Sequence, residues 1–196
     1  MMNTEDGIEA VRIARSVIEE RVTHRGTVNR MPASFDEPSG VFVTINTYPS
    51  LHLRGCIGYP GPAFPLADAL VNAATHACND PRFCELEEHE LNDVVVEVTI
   101  LTPPEPIAVK KKEDLLTAIK IGRDGLMMEY KGRSSVFLPQ VPAEWNWDVL
   151  EYLENLCRKA GVSKDAWKEK DCNILSFEGR IFKELSPNGD IVEVDG

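Results

Sequence analysis

The sequence predicts an α+β fold in which a largely antiparallel sheet is flanked by helices. Strand-like and helix-like runs are interspersed along the 196 residues without a strict strand–helix–strand alternation. Several neighbouring strand-like runs are separated only by short turn-forming stretches, which is typical of antiparallel hairpins. A chain of this length buries roughly 70% of its unfolded surface, so it needs neither disulfides nor a metal to fold. We therefore expect residues 1–196 to form one domain, with two lobes that share a core.

Helices are predicted where apolar residues recur at helical spacing and where the flanking residues begin or end a helix. In the first helix, Arg12, Arg15 and Glu19 are expected on the face opposite the apolar stripe. The second starts at Pro65 and ends before Pro81, because proline cannot continue a helix. The predicted helices cover residues 7–22, 65–78, 113–119, 147–160 and a short segment near 166–167. Trp145, Trp147 and Trp167 are expected to anchor the C-terminal helices in the core.

Strands are predicted where apolar or β-branched residues alternate or run together. The strongest run is 94–101, and the proline-rich stretch 102–106 that follows it is a stiff connector. Residues 24–40 are predicted to form a polar loop before the first strand. The predicted strands cover residues 41–45, 52–57, 94–101, 126–130, 136–138, 174–177, 179–183 and 191–194.

Charge and cysteine content exclude several functional classes. The net charge of −11 opposes electrostatic capture of nucleic acid or of an anionic membrane surface. No apolar run approaches the roughly 20 residues that span a bilayer, and the first residues do not resemble a signal peptide. The five cysteines form no C-x-x-C pair, so we expect no structural zinc site and a reduced, cytoplasmic protein.

The sharpest candidate site is the hexapeptide Leu53-Arg54-Gly55-Cys56-Ile57-Gly58. Alternation along a strand puts Arg54 and Cys56 on one face, and the two glycines leave room for a close approach. Arg54 would lower the pKa of the thiol and could also bind a carboxylate or phosphate. The alternative is a structural role, because free cysteine commonly packs as a small hydrophobic residue in the core.

Glu97 is the second candidate, because it is the only charged residue in the apolar run 94–101. A carboxylate buried there needs a charged partner or has a raised pKa. Arg54 and Arg82 are the candidate partners, since they are the only Lys or Arg residues between positions 51 and 100. A structural ion pair or an exposed edge position would explain Glu97 equally well.

Four further polar residues are candidates for the same site. Asp80 and Arg82 follow the second helix, where the alternative is a turn with a local ion pair. His76 is the obvious base for a nearby thiol, although a lone helical histidine is more often packed or hydrated. Gln140 lies at the end of a hairpin strand, where its amide could face a ligand or simply mark the strand exit.

The hexapeptide resembles the signature of the AMMECR domain family. Other segments resemble the family in the same order, over about residues 40–167: Val41–Thr44, Asp80–Phe83, Glu97–Leu101, Gly122–Leu126, Leu138–Val141 and Cys157–Gly161. The resemblance implies an α+β body with two unequal lobes, the larger of which holds both termini. It also implies a cleft between the lobes that is lined by these motifs.

Taken with the residues above, the resemblance implies an enzyme that acts in this cleft on a small anionic or nucleotide-like molecule. Cys56 would act as nucleophile or redox thiol, and His76 or Glu97 would act as the base or orient the thiol. The expected substrate-binding residues are Arg54, Gly55, Gly58, Asp80, Arg82 and Gln140. The sequence names no cofactor and predicts no metal.

The alternative is a non-catalytic binding or adaptor module. Prokaryotic relatives are fused to, or encoded beside, Memo-type and radical SAM proteins, which the resemblance makes the candidate partners. The absence of a complete catalytic motif or a phosphate-binding glycine loop favours this alternative. An RNA-modifying role is a third possibility, and the net charge opposes it.

Overall fold

The structure is a computed structural model that describes residues 3–25 and 31–194. Helices and antiparallel sheets are interspersed along the chain, which confirms the predicted α+β class. The α-helices are α1 (Thr4–Thr23), α2 (Leu66–Ala77), α3 (Leu115–Ala118), α4 (Gln140–Glu144) and α5 (Val149–Lys159). The strands are β1 (Val41–Thr47), β2 (Leu53–Tyr59), β3 (Val94–Leu101), β4 (Glu105–Pro106), β5 (Gly125–Tyr130), β6 (Arg133–Phe137), β7 (Asn173–Phe177), β8 (Gly179–Glu184) and β9 (Ile191–Val194).

The predicted elements occur with small shifts at their ends. Within the predicted polar loop, Ala33–Asp36 forms a 3₁₀ turn, and residues 26–30 lie outside the described residues. Strand β6 begins at Arg133, three residues before the prediction, because the turn takes only two residues. Lys131 and Gly132 both have positive φ (49° and 75°), as a two-residue hairpin turn requires.

The chain divides into two units, each with its own cluster of buried apolar residues. Unit 1 contains the described residues up to Leu101 and those from Arg180 onward, and unit 2 contains Thr102–Gly179. The single domain with a shared core and the cleft between lobes stay predictions.

Unit 1 is a five-stranded sheet in the order β2-β1-β3-β8-β9, with α1 and α2 packed against it. The core face of β1 consists of Val41, Val43 and Ile45, all fully buried. Val43 lies opposite Ile57 on β2 and Val98 on β3. Because side chains alternate along a strand, the intervening residues of β1 lie on the other face of the sheet.

Arg15 lies inside unit 1, and the prediction that it faces away from the core is wrong. Its guanidinium forms a bidentate ion pair with Glu184 of β8 and donates to the carbonyls of Leu91 (3.2 Å) and Val94 (2.8 Å). The second Glu184 oxygen also accepts the backbone N–H of Val96, at 2.9 Å. Arg15 is 5% exposed and Glu184 4% exposed, so this pair is a polar contact within the core.

Unit 2 is a four-stranded sheet in the order β4-β7-β5-β6, and α5 packs against β5 and β6. Asp148 caps α5, since its side chain accepts the N–H of Glu151 while the Glu151 carboxylate accepts the N–H of Asp148. Trp167 is buried in this unit, as expected. Trp145 is 66% exposed, so the prediction that it anchors a helix in the core is wrong.

Candidate functional site

Cys56, Thr44 and Glu97 form a row across three neighbouring strands of unit 1. Thr44 on β1 lies opposite Cys56 on β2 and opposite Glu97 on β3. Directly opposed residues of antiparallel strands point to the same face, so a thiol, a hydroxyl and a carboxyl group share the face away from the core. The Thr44 hydroxyl donates a hydrogen bond to the Cys56 sulfur at 3.2 Å.

Cys56 is a free, partly exposed cysteine. It differs from Cys78, Cys157 and Cys172, which are buried, and burial raises the pKa of the Cys78 thiol to about 11. A fully buried core role is therefore excluded for Cys56.

Asp80 and Arg82 bind the backbone of Cys56 at the free edge of β2. Asp80 accepts the Cys56 N–H at 2.9 Å, and Arg82 donates to the Cys56 carbonyl at 3.3 Å. Because β2 is an edge strand, these polar groups have no neighbouring strand to pair with. At Cys56, the two side chains thus supply the acceptor and the donor that a neighbouring strand would otherwise supply.

Asp80 and Arg82 also bind each other through several hydrogen bonds. Arg82 donates to both Asp80 oxygens, at 3.0 and 2.6 Å, and the Arg82 backbone N–H donates to Asp80 at 3.0 Å. Hydrogen bonds from the Arg82 guanidinium hold the pKa of Asp80 well below its ordinary range. The expected local Asp–Arg ion pair is therefore present, and both of its residues also bind the backbone of Cys56.

The outer part of the Arg82 guanidinium remains open. The Arg82 side chain is 57% exposed, whereas Asp80 is 2% exposed. Within residues 3–25 and 31–194, the Nη1 group of Arg82 has no hydrogen-bond partner. A fixed cation with free donors thus lies beside the cysteine.

Arg54 was predicted to lie on the same face of β2 as the Cys56 thiol, but its hydrogen bonds are made elsewhere. The register shifts between Ile45 and Asn46, which leaves Arg54 as an additional residue in β2 and turns it from the regular alternation. Its guanidinium makes two 2.8 Å bonds to Glu90 and donates to the carbonyls of Cys84 (2.9 Å) and Glu85 (3.2 Å). Arg54 thereby fastens the segment between α2 and β3. Anion binding by Arg54 stays a prediction.

Protein atoms fill the space beside both glycines of the hexapeptide. A Cβ at Gly55 would lie 2.3 Å from the carbonyl oxygen of Ala77, where the end of α2 approaches β2. A Cβ at Gly58 would lie 2.3 Å from the ring of Phe42 on β1. Close packing within unit 1 accounts for both residues.

Gly55→Ala should therefore lower the free energy of unfolding by about 1–3 kcal/mol, because the added methyl group meets a backbone oxygen. Gly61→Ala is the matched control, since a Cβ there meets no atom within 4 Å. Urea unfolding of both variants checks the prediction. Equal stability of the two variants would contradict the close approach of α2.

His76 and Gln140 are not joined to the cysteine by hydrogen bonds within the described ranges. The Nδ1 atom of His76 lies 2.7 Å from the carbonyl oxygen of Asn72, one turn earlier in α2. A carbonyl acceptor places the proton on Nδ1. Gln140 begins α4 in unit 2 rather than ending a strand, and it is exposed. The catalytic role of His76 and the binding role of Gln140 stay predictions.

Glu97 is half-buried, and burial raises the pKa of its carboxyl group above the ordinary value of 4.5. The positive charge of Lys183 on β8 partly opposes this shift. Neither expected partner pairs with Glu97, because Arg54 binds Glu90 and Arg82 binds Asp80. Lys183 is the nearby cation that the sequence analysis missed.

The raised pKa makes Glu97 a source of pH-dependent stability. The folded protein holds the proton more tightly than the unfolded chain, so ionisation favours unfolding as the pH rises above about 4.5. Glu97→Gln should therefore be more stable than the wild type at pH 7, with the difference disappearing towards pH 4. Thermal unfolding across this range checks the sign, with the exposed Glu105→Gln as control. A difference that grows on acidification would contradict it.

Neither a metal centre nor a membrane span is present in the described ranges. No group of three or more His, Cys, Asp or Glu residues among residues 3–25 and 31–194 is arranged to hold a metal ion. In that same part of the chain, no helix has both the length and the apolar character needed to cross a membrane.

Fold and site together define an α+β protein that presents a cysteine, held by a buried aspartate and an exposed arginine, on the edge strand of an antiparallel sheet. The chain belongs to the AMMECR1 family, whose sequence profile matches residues 11–182. The predicted family membership is thus confirmed.

Archaeal relatives match the chain over nearly its whole length. A Methanococcus aeolicus protein is 50% identical over 98% of both chains, and a Methanocaldococcus jannaschii protein is 47% identical over 98% of this chain and 97% of its own. The crystal structure of an uncharacterised Pyrococcus horikoshii protein is 40% identical and superposes with a TM-score of 0.75, covering 100% of this chain and 99% of that one.

Proposed function

We propose that this protein is an enzyme that acts on a small anionic or nucleotide-like molecule at the Cys56 face of unit 1. One observation carries the proposal: buried Asp80 binds both the backbone of Cys56 and the guanidinium of Arg82. A reactive atom and an open cation are therefore fixed relative to each other before any ligand arrives, which is how an enzyme positions a charged substrate.

Arg82 is the anion-binding group. Its Asp80-bound edge sets the plane of the guanidinium, and its Nη1 group points two N–H donors away from that edge. A carboxylate or phosphate oxygen can accept from these donors without displacing Asp80. Asp80 is then a positioning residue rather than a ligand-binding one.

Cys56 is the nucleophile, and Thr44 and Glu97 support it. The Thr44 hydroxyl donates a hydrogen bond to the sulfur and orients it. The thiol loses its proton to water, and the thiolate forms a C–S bond with an electrophilic carbon of the ligand. The bond to the leaving group breaks, and the leaving group takes its proton from Glu97, whose raised pKa keeps it protonated at higher pH than an ordinary carboxyl. Water then attacks the same carbon, gives a proton back to Glu97 and displaces the thiolate, which releases the product and restores Cys56.

Alkylation of Cys56 by two small reagents tests this arrangement. Iodoacetate is an anion and iodoacetamide is its neutral counterpart, so their rate ratio reports the charge beside the sulfur. Arg82→Gln should lower the iodoacetate rate about threefold to tenfold and leave the iodoacetamide rate nearly unchanged. Peptide mass spectrometry separates the Cys56 signal from that of the exposed Cys84.

Arg123→Gln is the matched control for this experiment. Arg123 also makes a bidentate pair with a buried aspartate, Asp124, and is 48% exposed, but it lies in unit 2. An unreactive Cys56, or an Arg82→Gln variant with the wild-type rate ratio, would remove the basis of the proposal.

The second candidate function is a binding or adaptor module for Memo-type or radical SAM proteins. It is favoured by the absence, within the described residues, of a base hydrogen-bonded to the thiol, since His76 is bound to Asn72. Calorimetry with a Memo-type protein separates the two functions. Undiminished binding by Cys56→Ser, together with normal titration of the Cys56 thiol, would favour the module over the enzyme.

A further inference from the structure

Unit 2 carries an exposed stack of aromatic side chains that the proposed chemistry does not use. The Trp145 ring stacks on Trp147, with centroids 6.1 Å apart and planes inclined by 20°. Trp147 in turn meets Phe137 edge-on, at 5.5 Å and 69°. Because Trp145 is 66% exposed, the stack ends in an indole surface that faces solvent. A tryptophan this exposed leaves a large apolar area uncovered.

The backbone holds Trp145 in place. Its N–H donates to the carbonyl of Val141 at 3.2 Å, and the N–H of Trp147 donates to the carbonyl of Pro142 at 2.8 Å. Between them, Asn146 adopts the left-handed conformation (φ 52°), which asparagine tolerates better than most residues. The indole is therefore presented by an ordered turn, so binding to it requires little further ordering.

The sequence on both sides of Trp145 is acidic. Residues 140–155 contain four carboxylates and no Lys, Arg or His. Glu154 is paired with Arg158 and Lys164, which leaves Glu144, Asp148 and Glu151 as exposed acids on either side of the two tryptophans. At the other end of the stack, the Lys159 ammonium lies over the Phe137 ring at 4.3 Å. The inner end thus already binds a cation, while the outer end is open.

We propose that Trp145 is a docking site for an arginine side chain on an exposed segment of a partner protein. A guanidinium is planar, weakly hydrated and permanently charged, so it stacks on an indole face while the acids beside it accept its N–H groups. A lysine ammonium lacks the flat surface and is more strongly hydrated. The site therefore prefers arginine to lysine.

Fluorescence anisotropy with dye-labelled peptides tests the proposal on the full-length protein. The probes are a hepta-arginine amide and a hepta-lysine amide, measured at about 0.15 M salt, where long-range attraction to the acidic surface is screened. The wild type should bind the arginine peptide more tightly. Trp145→Ala should weaken arginine binding about tenfold and abolish the preference, whereas Trp145→Phe should retain part of it.

Two controls separate docking from general attraction to a chain of charge −11. Glu144→Gln should weaken binding a fewfold, whereas Glu129→Gln, an exposed acid on β5 with the same effect on net charge, should not. Leu185→Ala removes a 54% exposed apolar side chain from unit 1 and should bind as the wild type does. Equal affinity of Trp145→Ala and wild type, or no preference for arginine in the wild type, would overturn the proposal.

Discussion

Replacing Arg15 with methionine should lower the free energy of unfolding by about 3–5 kcal/mol. The substitution leaves Glu184 buried without its cation and removes the donors of the Leu91 and Val94 carbonyls. An uncompensated charge in the core costs far more than the loss of an exposed ion pair. Urea or guanidinium unfolding monitored by circular dichroism measures the difference.

Arg12→Met is the matched control, because Arg12 lies on the same helix, is 64% exposed and pairs with Glu9 at 3.3 Å. It should change stability by less than about 1 kcal/mol. The double variant Arg15→Met/Glu184→Leu should be more stable than Arg15→Met alone, since it also removes the Glu184 carboxylate that would be left buried without a cation. A double variant that is no better than the single one would show that the ion pair itself is not the source of the loss.

Asp80→Ala should lower the free energy of unfolding by about 2–3 kcal/mol, because it leaves the Cys56 N–H without an acceptor and frees Arg82. The same variant should change the chemistry at Cys56, since Arg82 loses the carboxylate that orients it. Its iodoacetate-to-iodoacetamide ratio should therefore differ from that of the wild type. Unfolding and alkylation thus give independent measures of one substitution.

The exposed Asp36→Ala serves as the control for stability. The pH dependence gives a second check. Because the pKa of folded Asp80 lies below its ordinary 3.8, its stabilising contribution is complete above that pH and is lost as the pH falls. The wild type and Asp80→Ala should therefore converge on acidification. A constant difference down to pH 2 would contradict the ion pair.

Local patterns predicted the elements of this fold well. The apolar run 94–101 is β3 to the residue, and Asp80-Pro81 marks the end of α2. Arg15 shows where such patterns fail. It lies four residues after Val11 and three before Ile18, which puts it on the buried stripe of α1, and its partner Glu184 is 169 residues away. Arg15 was predicted to be exposed because it is charged, and the local sequence gives no sign of its distant partner Glu184.

Part of the geometry around Cys56 follows from the local sequence, and the rest depends on tertiary structure. Asp80 and Arg82 pair as neighbours in sequence, as expected for a turn with a local ion pair. Strand alternation predicted a face for Cys56, whereas Thr44 was not among the predicted site residues. The register that sets Thr44 between Cys56 and Glu97 is a tertiary property. The irregularity that makes Arg54 an extra residue of β2 also depends on strand pairing, so regular alternation cannot predict that Arg54 binds Glu90.

The Asp80–Arg82 pair also has a consequence for solubility. An unprotected strand edge is a template on which a second chain can add its own strand. By occupying the N–H and C=O of Cys56, the two side chains interrupt that template at its midpoint. A chain without the pair would present an uninterrupted edge with a cysteine at its centre, where strand pairing between copies would bring two thiols together. The two residues that we propose position the thiol for a ligand would therefore also keep it from pairing with its own copies.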